Sequence, residues 1–225
     1  MKRWILFSAL LCMTGCSASV PEHTGPLPEN MAVGRVCREI QNYNTKISGP
    51  VELINSVRFN FRGRSFVAVG PLRLDEPDNA FSMAAVNPMG MTLFRIRMKN
   101  GRLVTSSMIP ELGKFKEAAD AVAKDIERIY FNRDADLSRA VLKPGKHGVV
   151  LQTGTEDTGR YEYRFGKSPL VLFAKIYYEN GRKVWSADYY NYRDHKGKLF
   201  PMRAFFKHYR HGYTLDINTK RIKGK

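Results

Sequence analysis

The residues predict an α+β domain in which a curved antiparallel sheet is covered by helices, and three observations carry that prediction. Two stretches, one around residues 33–43 and one around 112–129, place apolar side chains at alternating steps of three and four. The segments between and after them alternate apolar and polar residues, divided by turn pairs such as Asn100-Gly101 and Asn180-Gly181. Neither a repeated unit nor a second composition regime divides the chain, so helix, strands, helix and strands belong to one unit.

The chain opens with Lys2 and Arg3, an apolar run from Trp4 to Cys12, and small Gly15 directly before Cys16. This order reads as a secretory signal, too short to remain as a membrane-spanning helix. A small residue before a cysteine resembles the lipobox of bacterial lipoproteins, with Met13 where that pattern usually has Leu. The resemblance implies that residues 1–15 are removed and that Cys16 is acylated and becomes the new N-terminus. Ser17, in place of an Asp after the cysteine, then implies the outer membrane, with the protein lipid-anchored on its periplasmic face. An ordinary secreted protein cut elsewhere is the alternative. Several acyl chains would hold firmly, since each buried methylene contributes about 0.8 kcal/mol.

Residues 16–30, with Pro21, Gly25, Pro26 and Pro28, read as a lipidated N-terminus and a flexible tether with a reach of roughly 20 Å. Residues 31–225 form the single domain. Asn30 caps a helix whose Val33, Val36, Ile40 and Tyr43 share one face, and Ser48-Gly49-Pro50 ends it. Val57, Phe59 and Phe61 then alternate with Arg58, Asn60 and Arg62, and Phe66 to Val69 returns after the Arg62-Gly63-Arg64 turn. Strands follow at Phe81 to Val86, Thr92 to Met98 and Arg102 to Ser107. Leu112, Phe115, Ala119, Val122, Ile126 and Ile129 form the clearest helical stripe, either a core face or a lid over an apolar cavity. After Pro144-Gly145 the chain returns to strands, among them Leu170 to Tyr178, Lys183 to Tyr192, Phe200 to Tyr209 and Tyr213 to Ile217.

Charge narrows the partners. The chain has 37 Lys and Arg against 21 Asp and Glu, a formal net charge of +16. A basic surface meets nucleic acid, anionic lipid headgroups or acidic proteins. The envelope address argues against nucleic acid and favours lipid. With Cys12 in the signal and Cys16 acylated, Cys37 is left as a lone thiol, read as a small apolar residue on the first helix.

Catalytic patterns are scarce, and the chain is read as a non-enzyme with no cofactor and no metal. Asp75 to Asn79 reads as a solvated acidic turn, not a metal loop. Asp134 and Asp136 imitate the start of a calcium loop, but Arg139 stands where Gly is needed and Gly145 where the final Glu belongs. Gly166-Lys167-Ser168 imitates a phosphate loop without its first Gly or its following helix. The five histidines lack metal-ligand spacing, and His208 and His211 read as solvent-facing.

The informative stretch is Asn87-Pro88-Met89-Gly90, followed by Met91 and the alternating Thr92 to Ile96. Pro88 and Gly90 supply turn geometry, yet the tip carries an apolar side chain. Two readings of Met89 stand side by side: it meets lipid or a partner, or it folds back under the sheet.

Here the chain resembles the LolA/LolB superfamily, and within it the LolB-like outer-membrane lipoproteins. In that group an Asn-Pro-Leu-Gly turn joins two strands ahead of alternating apolar residues. Asn87, Pro88, Met89 and Gly90 match it, with Met89 in the Leu position, and the order of acylated cysteine, tether, helix, strands, turn, helical region and strands matches too. The ending from Phe200-Pro201 through Gly212-Tyr213 to Ile222 is also similar. The longer strand-rich second half and the basic surface depart from the pattern. The resemblance implies an incomplete β-barrel with helices as lid around an apolar cavity, and a membrane-insertion role for Met89. Phe59, Phe61, Phe94, Ile96, Val122 and Ile126 are the acyl-cavity candidates, conditional on strand register.

The expected function is that of a lipoprotein acceptor and insertase, a monomer that takes acylated cargo from a periplasmic LolA-like carrier and gives it to the bilayer. One alternative is a LolB-like carrier for another acylated or polyene-type lipid in a dedicated envelope pathway. The other is a non-catalytic structural envelope lipoprotein.

Overall fold

A computed structural model describes residues 33–47, 50–110, 118–133, 136–155, 159–166 and 170–223. Helix α1 spans Val33–Ile47 and leads into β1 (Val51–Phe61), β2 (Arg64–Asp75), β3 (Ala80–Val86), β4 (Thr92–Lys99) and β5 (Arg102–Met108). Helix α2 (Ala118–Tyr130) crosses to β6 (Val141–Gly145), β7 (Gly148–Thr155), β8 (Gly159–Gly166) and β9 (Val171–Glu179). The chain closes with β10 (Arg182–His195), β11 (Lys198–His208) and β12 (Tyr213–Lys223).

All twelve strands lie in one sheet, in the order β5-β4-β3-β2-β1-β12-β11-β10-β9-β8-β7-β6. Each half is a meander, and β1 and β12 join them antiparallel, with Val57 opposite Ile217 and Phe61 opposite Tyr213. The two ends of the order, β5 and β6, are joined through α2, which leaves an open barrel. Register shifts at Ile54/Asn55, Ala85/Val86, Arg95/Ile96 and Arg164/Phe165 add local twist, which is how so wide a sheet curls. The sheet therefore has the fold class expected from the sequence.

Side chains decide which face is concave. On β1 the buried positions are Val51, Leu53 and Asn55; on β2, Leu72 and Leu74; on β4, Ile96 and Met98. These are register partners across the ladder: Leu53 faces Leu72, Leu74 faces Phe81, and Phe81 faces Met98. Both helices lay their apolar stripes against this face. Val36, Ile40, Tyr43 and Ile47 of α1 join Ile126 and Ile129 of α2, Phe165, Leu172, Tyr189 and Phe206 in one buried cluster. At full burial each such side chain contributes about 1.5–3 kcal/mol.

Several elements run further than the sequence pattern, among them β1, which begins at Val51, and β12, which runs to Lys223. Helix α1 continues to Ile47, because that residue still points into the core. Strand β2 continues to Asp75, since Leu72 and Leu74 keep the alternation past Gly70 and Pro71. A β-carbon on Gly70 would lie 1.9 Å from the Ala84 carbonyl oxygen, so glycine is what lets β2 and β3 approach there. Strand β6 includes Pro144, read from sequence as a break. It stands last in the strand order, where a missing N–H is tolerated. The expected signal and tether with Cys16, and Leu112, Phe115 and Asp134, lie outside the described residues.

Candidate functional site

The helices do not cover the concave face evenly. Helix α1 sits over the lower ends of β8 and β10: Tyr43 packs edge-on to Phe165 at 5.5 Å, and its hydroxyl lies 3.2 Å from that of Tyr192. Helix α2 is tied across the middle. Asn55 Nδ2 donates to the Tyr130 hydroxyl at 3.1 Å, Thr219 Oγ1 donates to Asn55 Oδ1 at 2.9 Å, and the Tyr189 hydroxyl donates to the Ile129 carbonyl at 2.7 Å. Buried Arg133 follows the helix and donates from Nε to the Tyr130 carbonyl, with Nη2 at 3.5 Å from Glu76. Interior polar groups are thereby spent on holding the helices down.

At the upper end of β1, β2 and β12 the concave face is less covered among the described residues. Phe59 stacks at an angle against Phe61 (6.2 Å), Phe66 (6.3 Å) and Tyr213 (5.5 Å between ring centroids). Phe59 and Phe61 are half-buried, and Phe66 is 56% exposed. Arg62 and Arg64 stand in the turn above them. The β3–β4 turn lies at the same end of the sheet, because β1 runs up to it, β2 down from it and β3 back up.

That turn is built by Asn87. Its Oδ1 accepts from the Met89 and Met91 amides at 3.0 and 2.9 Å, while its carbonyl accepts from Gly90 N at 3.0 Å. Gly90 sits at φ 86°, a conformation that costs other residues about 1–2 kcal/mol. With the turn's polar groups used internally, Met89 is carried outward, 87% exposed, and Met91 beside it is half-exposed. Of the two readings of Met89, folding back under the sheet does not occur.

The other sequence-derived candidates lie on the concave face. Ile96 and Ile126 are buried, while Phe94 and Val122 are partly buried and packed against the same cluster. The structure therefore brings Phe59 and Phe61 together at the mouth and sets Phe94, Ile96, Val122 and Ile126 deeper. Sequence reasoning missed Phe66 and Tyr213, which complete the aromatic mouth.

Two further groups went unrecognised. Lys175, 2% exposed, lies within the apolar strand β9. Its Nζ donates to the Phe131 carbonyl at 3.1 Å and the Arg128 carbonyl at 3.4 Å, at the end of α2, over the rings of Trp185, Tyr163 and Tyr161 at 5.5–5.8 Å. A cavity of about 310 Å³ opens beside it, lined also by Lys124, Glu127 and Arg128 of α2. A lysine inside an apolar strand is the signal that could have found it. His208, read as solvent-facing, is instead 2% exposed. Its position opposite Trp185 and Tyr213 places it on the concave side, and its ring lies 4.4 Å from that of His211. Burial, with Arg128 nearby, pushes its pKa down to about 4, so the ring is neutral. Beside it the Tyr213 hydroxyl donates to Asp125 at 2.5 Å and Arg128 bonds the same carboxylate at 2.9 Å, closing α2 onto the sheet. Burial outweighs these partners and raises the Asp125 pKa.

The acidic stretches act as turns. Asp136 accepts from Ser138 N and Oγ at 2.9 and 2.7 Å, and no cluster of metal-ligating side chains occurs among the described residues. Cys37 is a half-buried free thiol.

Residues 53–221 match the family model described as Protein of unknown function (DUF3261). No curated protein matches the chain in sequence. Among solved structures, a LolA superfamily protein from Nitrosomonas europaea superposes with a TM-score of 0.52 at 10% identity, over 84% of this chain and 93% of that one. A protein named as an outer membrane lipoprotein-sorting protein domain, from Vibrio parahaemolyticus, gives 0.50 at 11% identity, over 83% and 90%. A DUF1329 family protein from Desulfovibrio piger gives 0.54 at 11% identity, over 82% and 89%. At such identity the likeness is one of fold: the open curved sheet with helices against its concave face is the LolA-like incomplete barrel.

Proposed function

This chain belongs to the DUF3261 family of proteins of unknown function, and from that premise we propose that it is an envelope lipoprotein that binds acyl chains and passes them to a bilayer. Residues 1–15 act as the signal, Cys16 as the acylated anchor of residues 16–30, and residues 31–225 as the carrier domain at the periplasmic face of the outer membrane. The observation that carries the reading is the apolar continuity at one end of the barrel. Phe59, Phe61 and Phe66 line a mouth that the described residues leave partly open, and exposed Met89 and Met91 stand at the same rim.

The interior is occupied by the protein's own helices, so an acyl chain gains room by displacing an apolar helical stripe. An acyl chain lying between Phe94 and Ile96 of the sheet and Val122 and Ile126 of a lifted α2 keeps both apolar faces covered, so the cost falls on the hydrogen bonds that hold α2. No bond is made or broken in this cycle, and no nucleotide is consumed. Net direction comes from differences in affinity between carrier, this protein and membrane. Met89 then acts as the insertion tip. Lipoproteins delivered by a LolA-like carrier are the first cargo class. The cationic cavity beside Lys175 favours, as a second reading, one dedicated acylated lipid with an anionic group.

Native mass spectrometry of the purified protein tests the binding claim. Lipid-sized adducts carrying acyl chains are expected. A bare protein mass after purification from membranes and after incubation with acylated peptide contradicts it. Depletion followed by membrane fractionation separates the cargoes: lipoproteins held at the wrong membrane indicate general acceptance, and loss of one lipid alone indicates a dedicated route.

A further inference from the structure

The outer face of β2–β5 carries a pattern that cargo transfer does not use. With Leu72 and Leu74, and Ile96 and Met98, directed inward, the residues between them face out: Arg73 on β2, and Arg95, Arg97 and Lys99 on β4. Ser82 is the register partner of both Arg73 and Arg97, so these two lie on one row, about 10 Å apart at two strand spacings. Val104 continues that row on β5, and Lys99 stands directly opposite Arg102.

Like charges placed opposite one another destabilise a sheet, and interspersed acids usually relieve them. Among the outward positions of these strands only Asp75, at the lower end of β2, is acidic. None of Arg73, Arg95, Arg97, Lys99 and Arg102 joins an ion pair among the described residues. Val104, 58% exposed, sits between Arg97 and Arg102, and the same face exposes Val67 and Val69 above the cations. A cleft of about 500 Å³ lies against it, lined by Arg97, Lys99, Asn100, Arg102 and Val104.

We propose that this face is a docking surface for a bilayer rich in anionic phospholipid, with the cleft seating a headgroup phosphate and the valines resting on the adjoining apolar boundary. Cations alone would suit nucleic acid or an acidic protein equally. Exposed valines among and above them, with Met89 and Met91 at the turn between β3 and β4, suit a surface that is anionic outside and apolar just beneath. Seated this way, the barrel lies on its side with the aromatic mouth at the level of the membrane. The inference rests on the envelope location and goes beyond the cargo reading, because it states which face meets the membrane and which headgroup chemistry holds it.

The test uses the full chain with Cys16→Ser, so that no acyl anchor contributes. Sedimentation with vesicles of phosphatidylglycerol and phosphatidylethanolamine is compared with phosphatidylcholine vesicles, at low and high salt. A patch variant carries Arg95→Gln, Arg97→Gln, Lys99→Gln and Arg102→Gln. A control of equal charge change carries Lys46→Gln, Lys143→Gln, Lys146→Gln and Lys220→Gln, all exposed positions elsewhere. Every protein shares residues 1–32, so any contribution from them cancels. The patch variant is expected to lose at least tenfold in binding to anionic vesicles while the control stays within about twofold, and high salt should abolish the difference. Val104→Glu, which keeps all the cations, should also weaken binding and guards against a patch variant that fails to fold. Equal losses in patch and control variants, equal binding of phosphatidylcholine and anionic vesicles, or tighter binding of the parent Cys16→Ser chain to duplex DNA than to anionic vesicles would overturn the proposal. Adducts measured on the same patch variant keep the two readings apart. Retained acyl binding with lost vesicle binding upholds this surface, whereas lost acyl binding with normal vesicle binding removes the cargo reading alone.

Discussion

Met89 shows how a few polar contacts can expose an apolar side chain. Because Asn87 satisfies the amides of Met89 and Met91, the turn needs no support from its tip. Met89→Glu is therefore expected to leave the melting temperature and acyl binding unchanged and to impair delivery to vesicles by tenfold or more. Loss of all three together would remove the insertion role. Gly90→Ala meets no neighbour, since nothing lies within 4 Å of the added carbon, so its cost is that of the backbone alone, about 1 kcal/mol by chemical denaturation. His208 is the titration counterpart. Its folded pKa of about 4 lies below the ordinary 6.5, so between these values the unfolded chain takes up a proton that the folded chain refuses. Stability from a neutral His208 is full above about 6.5 and is lost as pH falls toward 4. The wild type minus His208→Gln difference should show that slope, and a flat difference would contradict the buried placement. The comparison must be a difference, because burial raises Asp188 to about 6, and that group gains stability as pH falls through part of the same window.

At the scale of elements, two helices are held by different means. Helix α1 relies on an apolar stripe, and α2 adds polar ties to Lys175, Tyr189, Asn55 and Tyr213. Lys175→Met preserves volume but strips the last carbonyls of α2 of their donor, at about 1–3 kcal/mol. Amide exchange should accelerate in α2 and the turn after it while the β10–β12 ladder keeps its protection. Uniform acceleration would mean that Lys175 supports the whole domain and not this helix. The same contrast explains what the sequence disclosed. Stripes at steps of three and four and Asn-Gly turns fixed both helices and most strands, because those signals are local. The pairing of β1 with β12 and the inward aim of Lys175 and His208 depend on register between distant strands. A cation in the apolar run of β9 read simply as part of a strand, and Pro144 read as a break, until each had a neighbour to explain it.

For the molecule as a whole, the open barrel with its own helices inside reconciles a closed core with the proposed acyl-carrier role. The resemblance implied an apolar cavity under a helical lid, and of that only the apolar lining was legible, in the alternation of Phe59 and Phe61 on β1 and of Phe94 and Ile96 on β4. What fills that interior was not, because nothing local says that α1 and α2 occupy the space themselves. The account stands on the exchange of helix for hydrocarbon, and photolabelling reads that exchange directly. A fatty acid carrying a diazirine at the chain end, incubated with the protein and irradiated, should label concave-face peptides that include Phe94, Ile96, Ile126 or Tyr189. Labelling confined to the outer face, or none at saturating ligand, would show that no acyl chain reaches the barrel and would contradict the account.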